Sequence, residues 1–178
     1  AVSPSAALSS SGHVGGPFVA SNHVYTLTNA GGSVLEWTAT TPAPWLDLSP
    51  ASGTLAAGAS VTVNALLNAQ AALLPVGTNA ASLDFVASGG GSGTVNRELA
   101  VKVYPLPRWL PDIQTSPTNF QAWFQGVPHW AYFIEVSTNL QHWSRMATNK
   151  ADASGLFQFA DPEAAFLHRR FYRAGTTP

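Results

Sequence analysis

Apolar residues recur at every second position in several short segments of this chain, and that period-two alternation constrains the fold more than any other feature. The clearest series is Val61, Val63, Ala65 and Leu67. Successive side chains of a β-strand point to opposite faces, so such a series predicts a strand with one face buried. The chain is therefore expected to build its core from sheets.

The same alternation returns along the first 104 residues, in segments around Tyr25, Trp37, Phe85 and Val101. The 15 glycines and 13 prolines cluster between these segments, where turns are expected. About seven strands are predicted up to Tyr104, with no long helix. That number fits an immunoglobulin-like sandwich of two sheets, an all-β fold.

Three connections have local signals of their own. Asn29-Ala30-Gly31-Gly32 predicts a hairpin between the strands on either side, and the glycine-rich segment 89–93 predicts another. Residues 68–74 are expected to form one helical turn.

The strand pattern stops at Pro105-Leu106-Pro107, and the composition changes there. The first 104 residues contain two of the eight basic residues and two of the six tryptophans, and the remaining residues contain the others. We therefore predict two modules, 1–104 and 110–178, joined by a linker at 105–109.

The second module shows a similar but shorter pattern. Phe120, Ala122 and Phe124 share one predicted face, and Tyr132, Ile134 and Val136 share another. Further strands are expected within 143–147, 156–159 and 170–174, and together they fit a small, incomplete fibronectin-like β-sandwich.

The composition excludes several function classes. Only 10% of the residues are charged and the net charge is −1, so a nucleic-acid partner is not expected. With no cysteine, disulfides and thiolate metal sites are absent. No apolar run reaches the length of a membrane span. Export is expected, with any signal peptide already removed.

No catalytic motif is complete in this sequence. The serines lie outside any Gly-x-Ser-x-Gly motif, and the five histidines are too scattered to indicate a metal site. Six carboxylates could supply a glycosidase pair, but their spacing favours no two of them. Asp152-Ala153-Ser154-Gly155 is expected to be a turn, and His168-Arg169-Arg170 a basic strand edge. We expect neither an enzyme nor a bound cofactor or metal.

The tryptophans carry the only functional signal. Trp37, Trp45 and Trp143 lie in patterns that indicate core positions. The candidate contact residues, which are less easily buried, are Trp109, Trp123, Trp130 and Phe133. They are expected to fill the interface between the modules, to form a flat platform for a ligand such as a polysaccharide, or to contact another subunit.

The first module resembles a known family. The quoted segments are Tyr25-Thr26-Leu27-Thr28-Asn29, Trp45 to Leu55 and Val61-Thr62-Val63. They are similar to the BACON-type immunoglobulin-like domain of exported bacterial proteins, a family named for a proposed carbohydrate-binding role. The resemblance implies a fold and an extracellular or cell-surface location.

The second module has a resemblance of its own, carried by residues 132–143, 155–161 and 170–173. It is similar to small fibronectin-type-III-like repeats near the C-terminal ends of large exported proteins of planctomycete and verrucomicrobial bacteria. That resemblance implies no particular activity.

These observations favour a non-catalytic accessory or spacer module of an exported protein, with weak binding to a polysaccharide or a surface protein. The alternative is a structural subunit of an extracellular filament or layer that self-associates. In that alternative, residues 1–12 would be donated as a strand to a neighbour.

Overall fold

Each segment with period-two alternation lies in a β-strand of the computed structural model, which describes residues 1–116 and 119–176. The chain divides into two units, Ala1–Tyr104 and Pro105–Pro178. Both are built almost wholly from antiparallel strands, which confirms the predicted all-β, immunoglobulin-like sandwich class.

The first unit contains ten strands, three more than the sequence predicted. They are β1 (Val2–Ser3), β2 (Leu8–His13), β3 (Phe18–Val19), β4 (Asn22–Thr28), β5 (Leu35–Thr40), β6 (Leu46–Ser49), β7 (Ser52–Leu55), β8 (Ser60–Leu67), β9 (Gly77–Gly89) and β10 (Gly93–Tyr104). One sheet has the order β1-β4-β8-β6 and the other β3-β2-β10-β9-β5-β7. Strands β1 and β3 lie at sheet edges and have two residues each, too few to show alternation. Strand β2 lies inside its sheet, but serine and glycine fill most of its positions and leave no apolar alternation.

The two sheets of the first unit enclose one hydrophobic core. Tyr25, Val63, Leu83 and Val101, which come from four strands, have no exposed surface. All four belong to the alternating series, so the predicted inward faces are confirmed. Trp37 and Trp45 are also buried, as predicted.

The predicted hairpin at Asn29–Gly32 is wrong, because β4 and β5 lie in different sheets. The connection crosses the sandwich, and the buried side chain of Asn29 holds it in place. Its Nδ2 donates to the carbonyls of Ser33 at 2.7 Å and Leu55 at 2.9 Å, and its Oδ1 accepts from the Gly31 amide at 3.0 Å. A buried amide that satisfies several backbone groups in this way helps to hold the crossover in place.

The other two local predictions are confirmed. β9 and β10 pair directly across the 89–93 loop, and residues Ala69–Leu73 form a 3₁₀ turn. The Asn68 side chain caps that turn by accepting from the Gln70 amide at 2.9 Å.

Residues 1–12, expected to be available for donation, are paired within their own unit. β1 pairs antiparallel with β4, and β2 pairs parallel with β10. The Arg97 side chain fastens the segment between them by donating to the carbonyls of Val2 at 2.8 Å and Pro4 at 3.1 Å. The segment therefore contributes to both sheets of this chain.

The second unit is a sandwich of two three-stranded sheets. Its strands are β11 (Arg108–Ser116), β12 (Asn119–Gln125), β13 (Ala131–Ser137), β14 (Ser144–Lys150), β15 (Leu156–Asp161) and β16 (Phe171–Thr176). The sheet β11-β12-β15 is called the β12 sheet below, and the sheet β14-β13-β16 the β13 sheet.

The predicted linker at 105–109 is too long, since β11 begins at Arg108. This strand was not predicted, because Pro111 interrupts its pattern. The register of β11 against β12 shifts between Trp109 and Ile113, which leaves the proline inside a bulge. Bulges and edge strands are where a sheet tolerates a residue without an N–H.

Aromatic rings fill the core of the second unit. Phe124 stacks on Phe157 with centroids 4.9 Å apart, and Tyr132 stacks on the same ring at 4.8 Å. Ala122, Ile134, Ala151 and Phe159 complete the buried set. Stacked rings give a small unit more buried apolar area per residue than aliphatic side chains would.

Candidate binding faces of the second unit

The four candidate contact residues of the second unit do not converge on one site. Trp109 and Trp130 lie against the core, Trp123 lies on the outer face of the β12 sheet, and Phe133 lies on the outer face of the β13 sheet. Two separate faces therefore have to be considered.

Trp109 and Trp130 are core-edge residues. The Trp109 ring lies 4.1 Å from the ring of Phe124 and 6.2 Å from that of Phe159, although 39% of its surface is exposed. Trp130 is partly buried and packs against the same cluster. Both therefore lie at the edge of the aromatic core, and Trp109 keeps part of its surface exposed.

Trp123 points away from the core. Ala122 and Phe124 on either side of it are fully buried, and alternation along β12 directs Trp123 outward, where it is half-buried. Gln158 of β15 lies directly opposite Trp123 in the strand register. The Gln158 amide donates to the side-chain oxygen of Gln121 at 3.2 Å, which places two ordered amides beside the indole.

The surroundings of Trp123 carry no charge along the two strands. The outward positions of β12 and β15 are Gln121, Trp123, Gln125, Leu156, Gln158 and Ala160. On its other side, Trp123 faces the β11 bulge around Pro111. The β12 and β15 part of this surface is uncharged and rich in amides, and Asp112 lies in the bulge beside it. The surface around the Trp123 indole is called the tryptophan face below.

The outer face of the β13 sheet has different chemistry. The guanidinium of Arg145 lies 4.0 Å from the centroid of Phe133, and Gly175 on the other neighbouring strand leaves room for that ring. Phe133 is thus covered by a cation on one side and closely backed by a glycine on the other.

A second cation–aromatic pair lies on the same face. The guanidinium of Arg173 lies 4.3 Å from the centroid of Trp143 and pairs with the carboxylate of Glu135 at 2.6 Å. Trp143 is half-buried and stands outside the core cluster, so the prediction that it is a core residue is wrong. Its indole N–H donates to the carbonyl of Leu140 at 3.0 Å instead of packing inward.

The basic cluster at 168–170 lies before β16 and outside any strand, so the prediction of a strand edge is wrong. His168 and Arg169 are exposed, but the Arg170 side chain is only 13% exposed and pairs with the buried carboxylate of Asp161 at 2.7 Å. The Tyr172 hydroxyl donates to the same carboxylate at 2.9 Å. Burial, and then this hydrogen bond, raise the pKa of Tyr172 well above its usual value. The three side chains form a structural network.

Three carboxylates of the second unit are engaged in structural contacts. Glu135 and Asp161 each pair with an arginine, as described above. Asp152 accepts from the amides of Ser154 and Leu156, at 2.8 Å and 2.9 Å, and so forms the predicted turn. Hydrogen bonding, first from the Ser154 side chain, lowers the pKa of Asp152.

No group of three metal-ligating side chains comes together within residues 1–116 and 119–176. Over the same residues, no helix is both long and apolar enough to span a membrane.

Residues 20–96 match the family described as the viral BACON domain. The match lies inside the first unit and covers less than half of the chain. It supports the predicted resemblance, so the first unit contains a BACON-like domain of immunoglobulin type. No curated protein matches the chain.

Several solved structures resemble the chain in outline. The chaperone YadV aligns with 8% identity and a TM-score of 0.45, over 89% of this chain and 82% of that one. The CsuC–CsuE chaperone–tip adhesion subunit complex of Acinetobacter baumannii aligns with 9% identity and a TM-score of 0.45, over 90% and 86% of the two chains. PapD-like domain 7 of human CEP192 aligns with 17% identity and a TM-score of 0.43, over 56% of this chain and 82% of that one. No function is transferred from them.

Proposed function

We propose that this chain is a non-catalytic accessory module of an exported protein, and that it binds a neutral polysaccharide weakly through the tryptophan face. The observation that carries the proposal is the outward indole of Trp123 among ordered, uncharged amides.

The chemistry of the face suits sugars. The C–H groups of a pyranose ring are buried well against a flat indole, and Trp offers the largest such surface. Amide side chains can both donate to and accept from sugar hydroxyls. Because Gln121, Gln125 and Gln158 carry no charge, the face favours a neutral polymer over an ionic one.

The expected affinity is low. Covering roughly 100 Å² of indole at about 25 cal/mol per Å² gives about 2.5 kcal/mol, before the cost of association is subtracted. One aromatic platform therefore binds a single oligosaccharide weakly. It is enough for attachment when many copies of the module act together or when the polymer is long.

The family match supports the accessory role, since BACON-like domains are generally non-catalytic parts of larger proteins. The predicted resemblance of the second unit to fibronectin-type-III-like repeats of exported proteins agrees with the same role and with the proposed location outside the cell. The filament alternative is less favoured, because the segment that it would donate is paired within the chain.

Affinity electrophoresis of the full chain in gels that contain soluble neutral polysaccharides, such as xylan, mannan, amylose and hydroxyethylcellulose, tests the proposal. At least one polymer should retard the protein, and Trp123→Ala should weaken that retardation at least tenfold.

Trp143→Ala is the matched control, because Trp143 is also half-buried and outside the core but lies on the opposite sheet. It should leave retardation unchanged, while circular dichroism confirms that both variants are folded. The proposal would be contradicted if no neutral polymer retarded the protein, or if both variants lost the same amount of retardation.

A further inference from the structure

The outer face of the β13 sheet concentrates cations in a chain that has few of them. We define the arginine–aromatic face by Phe133, Glu135, Trp143, Arg145, Lys150 and Arg173. Three of the eight basic residues of the chain lie here with a single acid. The net charge of the whole chain, −1, conceals this local excess.

Two of these cations are uncompensated. Arg173 is neutralised by Glu135, but Arg145 and Lys150 take part in no ion pair among the residues that the structure describes. Both are exposed on β14. Arg145 is held over the ring of Phe133, and its N–H donors make no hydrogen bond to another described residue. A guanidinium fixed in position with free donors is prepared for an anionic ligand.

Arg173, on the same face, already binds a carboxylate. The Nε and the terminal nitrogen of Arg173 both donate to Oε2 of Glu135, at 2.7 Å and 2.6 Å. Arg145 and Arg173 both pair with the Glu135 position in the strand register, so their backbones lie on opposite sides of β13, about 10 Å apart. Arg145 lacks the carboxylate that Arg173 has.

We propose that the arginine–aromatic face binds a carboxylate-bearing polysaccharide, with uronate groups paired to Arg145 and Lys150 and a sugar ring against the exposed part of Trp143. This inference is independent of the proposed function, which concerns the opposite sheet.

The geometry favours a polysaccharide over other anions. An extended peptide binds a β-sandwich by adding a strand to a sheet edge, whereas this face offers side chains that stand on the sheet surface. Nucleic acid requires many phosphate contacts for useful affinity, and the face supplies two free cations. Two cations flanked by aromatic rings match a polymer with alternating charge and apolar C–H surface.

Affinity electrophoresis of the full chain in polygalacturonate, at low salt, is the test. We expect retardation by polygalacturonate, little by its methyl-esterified form, and weaker retardation as salt is added. The double variant Arg145→Gln, Lys150→Gln should lose at least tenfold in apparent affinity.

The charge-matched control is Lys102→Gln, Arg169→Gln, which removes two exposed cations elsewhere and should change the affinity less than twofold. Trp123→Ala should also keep polygalacturonate binding, so failure of one proposal is distinguishable from failure of the other. Absence of retardation, or an equal loss in the control pair, would overturn the inference. Stronger binding to polyglutamate or to DNA would overturn it as well and would assign the face to a peptide or a nucleic acid.

Discussion

Replacing Asn29 with alanine should destabilise the first unit far more than its position in a connecting segment suggests. Its Nδ2 donates to three carbonyls, those of Ser33, Leu55 and Ala56, and its Oδ1 accepts from Gly31. Only the bond to Leu55 is fully buried. The substitution removes all four bonds, and the crossover between the two sheets depends on them.

The magnitude follows from the burial of each group. The Leu55 carbonyl would be left without that partner in the core, which costs about 1–3 kcal/mol. The partly buried carbonyls of Ser33 and Ala56 can regain water, so each adds roughly 0.5 kcal/mol. The expected decrease in the free energy of unfolding is about 2–4 kcal/mol.

Asn68→Ala provides the matched control. Asn68 also makes several side-chain hydrogen bonds, to Pro44, Asp47 and Gln70, but all of them are exposed. Asn68→Ala should therefore lower the free energy of unfolding by about 1 kcal/mol, as the loss of an ordinary helix cap does. The two substitutions remove similar numbers of bonds and differ mainly in burial.

Urea titration of the full chain, followed by hydrogen-exchange mass spectrometry, gives the free energy of opening for peptides of β4 and β5 separately from the second unit. A decrease below about 1 kcal/mol for Asn29→Ala, or one equal to that of Asn68→Ala, would refute the argument that burial of the Asn29 amide holds the crossover.

Three further substitutions test the second unit. In Gly175→Ala, the added Cβ would overlap the ring of Phe133; thermal denaturation should show a loss of about 1–3 kcal/mol, and an unchanged melting temperature would contradict the packing. Gly155→Ala places a side chain at φ +85° against a backbone carbonyl, and a loss of about 2–4 kcal/mol is expected by urea denaturation, whereas a neutral effect would contradict this turn. Tyr172→Phe removes the hydrogen bond to Asp161 and should cost about 1–2 kcal/mol near neutral pH. The raised pKa of Tyr172 keeps its proton in the folded state above pH ~10, where the unfolded state loses it, so wild-type stability should fall there and the gap to the variant should narrow; a gap that widens would contradict this.

Alternation was enough to predict most of the strands that form the two cores. The inward positions of β8 and β10 follow from period two because each strand has one buried face. The outward direction of Trp123 followed in the same way from Phe120 and Phe124. Which side chains of a strand face inward is a local property, so it can be predicted from each strand separately.

Features that depend on pairing between distant strands could not be predicted. A connection with Asn and Gly fits a hairpin as well as a crossover, and only the buried contacts of Asn29 distinguish them. Gln158 lies beside Trp123 only because β12 pairs with β15 in one particular register. Arg145 reaches Phe133 on a strand pair whose register shifts between Ile134 and Glu135.

The most direct test of the tryptophan face is the NMR spectrum of the six indole N–H groups during titration with an oligosaccharide of the polymer that retards the protein. The resonance of Trp123 should shift with ligand concentration, while those of Trp37 and Trp45, which are buried in the first core, stay in place. A Trp123 resonance that does not move while binding is evident, or a largest shift at Trp37 or Trp45, would contradict the account.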